Sequence, residues 1–233
     1  MLPTKPVSRA ATWMVAMSLL VLTPAFAGQK PKDWSPGIVP ANFARPVDNP
    51  YFPLSSGRSM SYRAVTKEGI ETLLIEVTGE TKDILGVTTR VVIETAKLNG
   101  ETIEIARNWF APDNDGNVWY FGEFTQDFPG GGTGGSWEAG QSEALPGIIM
   151  KAHSMPGDTY FQEFAPGVAQ DMASVLSITK TAAVLGSTRN NVLLTKEWTS
   201  LEPNSVEHKS YAPGIGLILE EKGGVQLELI EVR

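Results

Sequence analysis

Short runs of alternating apolar and polar residues follow one another from Arg58 to the end of the chain. Eleven of these runs are rich in β-branched and aromatic residues and end at Gly, Pro, Asn or Asp, which is typical of strands joined by tight turns. They cover residues 58–66, 71–77, 87–98, 102–110, 118–124, 159–164, 173–181, 192–201, 206–212, 217–221 and 225–232. Asn99-Gly100 predicts a two-residue hairpin turn between the third and fourth runs. Residues 166–177 are the one candidate for an amphipathic helix.

This pattern predicts an all-β fold with little helix. About eleven strands with short connections favour a single antiparallel domain over residues 58–233, and a sheet of that size curves or closes into a barrel to avoid bare edges. We expect the curved sheet to enclose a concave cavity. The Gly-rich segment 129–135 predicts a loop tip within this domain, because so much glycine is unfavourable in a packed element.

A Pro-rich segment, residues 28–57, precedes the predicted domain. Proline lacks a backbone donor, so this stretch is neither a helix nor a central strand. We expect an extended arm that contacts the domain through Trp34, Phe43, Tyr51 and Phe52.

The first 27 residues have the features of a secretory signal peptide. Lys5 and Arg9 precede an apolar stretch over residues 10–22, and Ala25-Phe26-Ala27 supplies a cleavage site before Gly28. An uncleaved membrane anchor is the alternative, but the apolar stretch is shorter than the ~20 residues that a membrane span requires. We therefore expect a periplasmic or secreted protein with no membrane span after cleavage.

Composition narrows the possible functions. The chain has no Cys, which excludes disulfides, thiolate nucleophiles and Cys-based metal sites. Removal of residues 1–27 takes away two cations and no anion, so the net charge changes from −7 to −9. A chain this acidic is unsuited to binding phosphate backbones, and we expect no nucleic-acid partner.

Four segments carry a resemblance to a known group of proteins. They are DNPYFPL at 48–54, DNDGNVWYFGE at 113–123, PGIIM at 146–150, and WTSLEPNSVEHKSYAPG at 198–214. With these segments in this order, the chain resembles a widespread family of small secreted bacterial proteins of unassigned function. The resemblance covers about residues 48–220 and implies a single domain, but it implies no reaction and no catalytic residue.

The second segment contains a candidate calcium site. Asp113, Asp115 and Asn117 alternate as the first ligands of a calcium loop do, and Glu123 is in a position to complete the shell. Gly116 and Glu123 are displaced from their places in an EF-hand loop, and both flanks are predicted strands. A hairpin turn in which the Asp side chains cap backbone amides is the alternative, and we favour it narrowly.

A ligand-binding wall is predicted from the period-2 rule. The rule places Trp119, Phe121 and Glu123 on one face of a strand, and Lys196 with Trp198 on one face of another. It places His208 opposite Glu207 and Lys209 on a third strand. If these strands adjoin, one wall carries Glu123, Lys196 and His208 among tryptophans, although a buried ion pair or a solvent-exposed face explains the same pattern.

Three functions remain open. We expect an exported binding protein that holds a small apolar or amphipathic ligand in the sheet cavity, with Ca²⁺ as a possible structural ion. One alternative is a periplasmic enzyme that uses Glu123, His208 and Lys196 as acid–base groups. The other is a metal-handling surface protein that binds calcium, or binds copper through His153 and His208 with Met150, Met155 or Met172.

Overall fold

The computed structural model describes residues 34–233, so the predicted signal peptide lies outside the described residues. Within them the chain forms one sheet of fourteen strands and one short 3₁₀ turn, Pro40–Phe43. The strands are β1 (Ser59–Val65), β2 (Ile70–Ile84), β3 (Val87–Leu98), β4 (Glu101–Pro112), β5 (Val118–Asp127), β6 (Trp137–Glu138), β7 (Leu145–Met150), β8 (Thr159–Phe161), β9 (Glu163–Phe164), β10 (Asp171–Val184), β11 (Ser187–Thr199), β12 (Val206–Ala212), β13 (Gly216–Lys222) and β14 (Val225–Val232).

The sheet is antiparallel and nearly closed. Its order is β8-β10-β11-β12-β13-β14-β1-β2-β3-β4-β5-β7-β9, and β6 pairs with β5. The two end strands, β8 and β9, are separated in the chain by Gln162 alone, so the two ends of the sheet meet. The predicted all-β barrel class is confirmed. The strand number exceeds eleven because β6 and β7 had no alternating pattern and the run 159–164 divides into two strands.

Residues 166–177, the one candidate for a helix, form no helix, and the predicted strand over residues 173–181 lies within β10. Strand β10 begins at Asp171 and pairs with both β8 and β11. Ala173 and Val175 are buried at period 2, as in a strand with one face on the core. Pairing with two neighbouring strands therefore outweighs the weak helical pattern.

The predicted hairpin at Asn99-Gly100 is confirmed. Leu98 pairs with Glu101, and the two turn residues have φ angles of 52° and 90°. These values are those of the turn that Asn-Gly favours. The Asn99 side chain also accepts the amide of Ile70 at 2.9 Å, so the turn is joined to its neighbour.

The described part of the arm packs against the barrel wall, and its end fills part of the barrel interior. Phe43 packs edge-on against Trp119 and Phe121, with ring centroids 6.3 and 5.8 Å away. Residues 48–54, which we call the strap, follow. Asn49 anchors the strap by donating from Nδ2 to the carbonyl oxygens of Gly116 and Lys151.

The strap tip, residues 52–54, enters the barrel interior. The Phe52 ring lies 5.0 Å from that of Phe110. Apolar side chains from several strands surround the tip: Met60, Tyr62, Ile75, Val77, Val92 and Leu217. No helix among residues 34–233 is long and apolar enough to cross a membrane.

Candidate functional site

Ionisable side chains occupy inner positions of the barrel beside apolar ones. Glu94 is in phase with Val92 on β3, and Lys209 is in phase with Tyr211 on β12, and all four are buried. Because strand residues two apart share a face, these charged side chains point into the lumen rather than to solvent. The lumen is thus apolar around the strap tip and polar beyond it.

Lys209 is the centre of the polar half. Its Nζ lies 2.8 Å from Glu197, 3.1 Å from Glu207 and 4.0 Å from Glu220. The cluster is built by register, because Lys209 pairs with Thr195 on β11 and with Glu220 on β13. A buried charge needs such partners, since an isolated one is strongly unfavourable.

The carboxyl groups around Lys209 differ in their protonation. Burial raises the pKa of Glu207, but the ammonium groups of Lys209 and Lys222 outweigh burial and lower it to about 2. Burial raises the pKa of Glu220 well above its usual value, against the attraction of Lys209. Among residues 34–233, both Glu220 oxygens lack a hydrogen-bond partner, and a neutral carboxyl is less unfavourable in such a place than a carboxylate.

A second group of carboxyls lies across the lumen. Trp137 Nε1 donates to Glu163 at 2.9 Å, and Thr125 Oγ1 donates to Glu123 at 3.0 Å. Burial raises the pKa of both glutamates well above the usual value. Burial also raises the pKa of Asp171 to about 6, and burial and Glu104 raise that of Glu94 to about 8. Of these, Glu94, Glu163 and Asp171 line one cavity, and perturbed carboxyls in a cavity are typical of binding and catalytic sites.

Two interior cavities adjoin at the strap. One, of about 40 Å³, is lined almost wholly by the apolar side chains around the strap tip. The other, also about 40 Å³, has both ionisable and apolar lining residues, and we call it the polar cavity. Both are lined by Phe52, Glu94 and Tyr211, so the two cavities adjoin at the strap. The polar cavity is lined in addition by Asn108, Phe110, Tyr120, Ile149, Gln162, Glu163, Asp171, Glu197 and Lys209.

Several buried polar atoms at the polar cavity have no partner among residues 34–233. Asn108 and Gln162 are 2% and 3% exposed, yet Asn108 Nδ2 and Gln162 Nε2 make no hydrogen bond. Oδ1 of Asp171 is also unpaired. Native proteins contain few such groups, so a cluster of them beside a cavity indicates a place for a polar molecule.

The structure separates the predicted ligand-binding residues into three places. Strand β5 carries a β-bulge. Between the pairs Asn108–Glu123 and Phe110–Tyr120, β4 has one residue and β5 has two. Gly122 in this bulge has a φ of 133°, and a Cβ there would collide with the carbonyl oxygen of Trp137. The bulge resets the alternation, so Glu123 shares the inner face with Tyr120.

The other predicted ligand-binding residues lie outside the lumen. Trp119 and Phe121 pack under Phe43 of the arm. Lys196 is exposed and lies 5.5 Å from the ring of Trp198, and His208 is its partner on β12. The structure thus brings Lys196, Trp198 and His208 together on the outer face and leaves Glu123 apart from them.

Asp113 in the predicted calcium loop is the centre of a turn. Oδ1 accepts the amides of Asp115 and Asn117 at 3.0 and 2.8 Å, and Oδ2 accepts Asn117 Nδ2 and Trp119 Nε1, both at 2.9 Å. Asp115 is exposed, and Glu123 lies in the lumen. The two backbone amides that donate to Asp113 Oδ1 are the contacts that the hairpin-turn alternative describes.

Metal binding stays a prediction. Within residues 34–233, no three His, Asp or Glu side chains come together as a set that could hold a metal ion. Of the side chains considered for copper, His153 and Met155 are exposed on the loop after β7, and His208 lies on β12.

The lumen residues that sequence analysis missed have one common signal. Glu94, Glu197 and Lys209 are charged residues at strand positions that alternate with outward-facing ones. The period-2 rule does place Glu207 and Lys209 on one face of their strand, opposite His208. The rule does not state which face is inside, and charged residues are normally outside.

The four segments behind the family resemblance meet at the polar cavity. Each contributes a lining residue: Phe52 from 48–54, Tyr120 from 113–123, Ile149 from 146–150, and Tyr211 from 198–214. Segments far apart in the chain therefore converge on one interior site.

Comparison with known proteins leaves the function open. No family model and no curated protein matches the chain. It is similar to a solved structure of a Bacteroides fragilis protein described as exported and of YmcC-like fold. That match has 16% identity and a TM-score of 0.45, and it covers 78% of this chain and 98% of the other. It is also similar to a Parabacteroides distasonis protein described as a lipoprotein, with 10% identity, a TM-score of 0.45 and coverage of 80% and 100%.

Proposed function

We propose that this protein is an exported binding protein that holds one small amphipathic molecule inside its barrel. The observation that carries the proposal is the pair of adjoining cavities, one apolar and one with polar groups, that share Phe52 as a lining residue. Such a lumen offers an apolar wall to a tail and hydrogen-bonding groups to a head. Ligand sites of this kind combine mostly apolar lining with a few polar groups that fix orientation.

Binding requires the strap to move. A cavity of about 40 Å³ has room for roughly three water molecules, whereas small-molecule pockets measure about 300 Å³ or more. Within residues 34–233, Phe52, Pro53 and Leu54 form no hydrogen bond to the barrel wall and are held by apolar packing. Outward movement of this tip removes the plug and merges the two cavities.

The test is thermal unfolding with three octyl compounds below their micelle concentrations: octyl glucoside, octylammonium and octanoate. We expect at least one to raise the Tm of the wild type, and to raise that of Phe52→Ala further. Val92→Phe, which fills the apolar cavity, should abolish the rise. Ile93→Phe is the matched control, because Ile93 is the next residue on β3 and faces outward.

The absence of any rise in Tm would contradict the proposal. If none of the three compounds raises the Tm of the wild type or of Phe52→Ala, the lumen does not bind amphiphiles and the proposal is wrong.

A further inference from the structure

The polar cavity offers unpaired donors and acceptors together. Asn108 Nδ2 and Gln162 Nε2 are donors, and Asp171 Oδ1 is an acceptor. Asn108 is held in place because its Oδ1 accepts the Tyr120 hydroxyl at 2.6 Å, which leaves Nδ2 as its free group. The carboxyl of Glu94 lines the same cavity. A head group that fits must therefore accept from the amides and also donate to the carboxyls.

The lumen also has little net charge to neutralise. Lys209 and Lys222 are paired with Glu197 and Glu207 at 2.6 to 3.1 Å. Burial raises the pKa of Glu94 to about 8, so this carboxyl is mainly protonated at neutral pH. An anionic head group would lose its hydration on entering and would find no unpaired ammonium group, because Lys209 and Lys222 are both ion-paired.

Three head groups of different chemistry can be compared with this wall. An ammonium group only donates, so it leaves Asn108 and Gln162 without an acceptor. A carboxylate only accepts, and it brings a like charge towards Asp171. A hydroxyl donates one hydrogen bond and accepts two, so neighbouring hydroxyls serve both kinds of protein group.

We propose, building on the proposed function, that the head group of the ligand is neutral and carries several hydroxyls, as in a sugar or another polyol. It sits between the amides of Asn108 and Gln162 and the carboxyls of Glu94 and Asp171. The rings of Phe110 and Tyr120, which stack at 4.7 Å, also line this cavity.

The experiment is calorimetric titration of the full exported chain at pH 7 with the three octyl compounds, which share one tail. We expect octyl glucoside to bind at least tenfold more tightly than octylammonium and octanoate. In the double variant Asn108→Leu/Gln162→Met this preference should fall to less than threefold. Gln226→Met removes an exposed amide from β14 and should keep the full preference.

Each outcome decides between the proposals. A tenfold preference for octyl glucoside in the wild type supports the polyol head even if the double variant does not fold. Equal binding of all three compounds, or tighter binding of a charged one, overturns the polyol head and leaves the amphiphile site standing. If none of the three binds, the proposed function itself is wrong.

Discussion

Asp113, in a turn, and Lys209, in the lumen, each hold several polar groups in place. Asp113 gathers four N–H donors at the base of a turn. Lys209 gathers three carboxyl groups in the lumen, and Glu197 and Glu207 above all outweigh burial and raise its pKa well above the usual value. Both side chains are buried and hydrogen-bonded or ion-paired, so removal of either leaves polar partners without a counterpart.

Asp113→Ala is expected to lower the free energy of unfolding by about 2 kcal/mol or more, because the charged acceptor of four N–H groups is lost. Asp115→Ala is the control and should change stability little, since that carboxylate is exposed. Urea unfolding of both variants, with millimolar Ca²⁺ and with EDTA, is the measurement. If the loop is a turn, the loss is the same in both solutions. A calcium-dependent gain in the wild type that disappears in Asp113→Ala would establish the metal site instead.

At the scale of elements, the turns set the register and one bulge sets the site. Asn99-Gly100 joins β3 to β4 with Leu98 opposite Glu101. Gly122 lets β5 accommodate β6 beside it and turns Glu123 into the lumen. A turn with a sequence signature is thus readable from the chain, whereas a bulge that depends on a distant strand is not.

Gly100→Val is expected to destabilise the fold by about 1 kcal/mol or more. Its φ of 90° disfavours a β-branched residue, and a Cβ there meets no atom within 4 Å, so backbone strain is the whole effect. Gly134→Val is the matched control, because Gly134 also has open space but no positive φ. Thermal unfolding of the two variants is the check, and an equal Tm for both would contradict the turn assignment.

The sequence predicted eleven strand-forming runs and the barrel class, but not β6, β7 or the charged residues that line the lumen. Alternation in β12 shows that Lys209 and His208 face opposite ways, but not that Lys209 faces inward. That choice is made by register, which places Glu197 and Glu220 beside Lys209 from strands on both sides. Closure of the sheet then fixes which carboxyls share the interior.

At the scale of the whole molecule, the buried carboxyls make stability depend on pH. Glu94 has a pKa of about 8 in the folded state against an ordinary value of 4.5, and Asp171 has about 6 against 3.8. Between the ordinary and the folded pKa of each carboxyl, the unfolded chain has released that proton and the folded chain still holds it. The stability that these groups contribute is therefore fully present below their ordinary pKa values and is lost progressively as pH rises towards 8.

Urea unfolding at pH 5, 6.5 and 8 should show this decline. In Glu94→Gln the fall between pH 5 and pH 8 should be smaller, because one titrating group is removed. Glu76→Gln, an exposed carboxylate on β2, should leave the profile as in the wild type. Stability that rises steadily from pH 5 to pH 8 would contradict the assignment of protonated carboxyls to the lumen.

Binding inside the lumen is the central claim, and native mass spectrometry of the exported protein, purified without detergent, tests it most directly. We predict a mass increase of one bound molecule that organic extraction removes. The extracted molecule should have an apolar chain and a hydroxylated head, and Val92→Phe should carry none of it. If the wild type has only the mass of its own chain, and Val92→Phe is at least as stable as the wild type, the cavities are space for water and the account is contradicted.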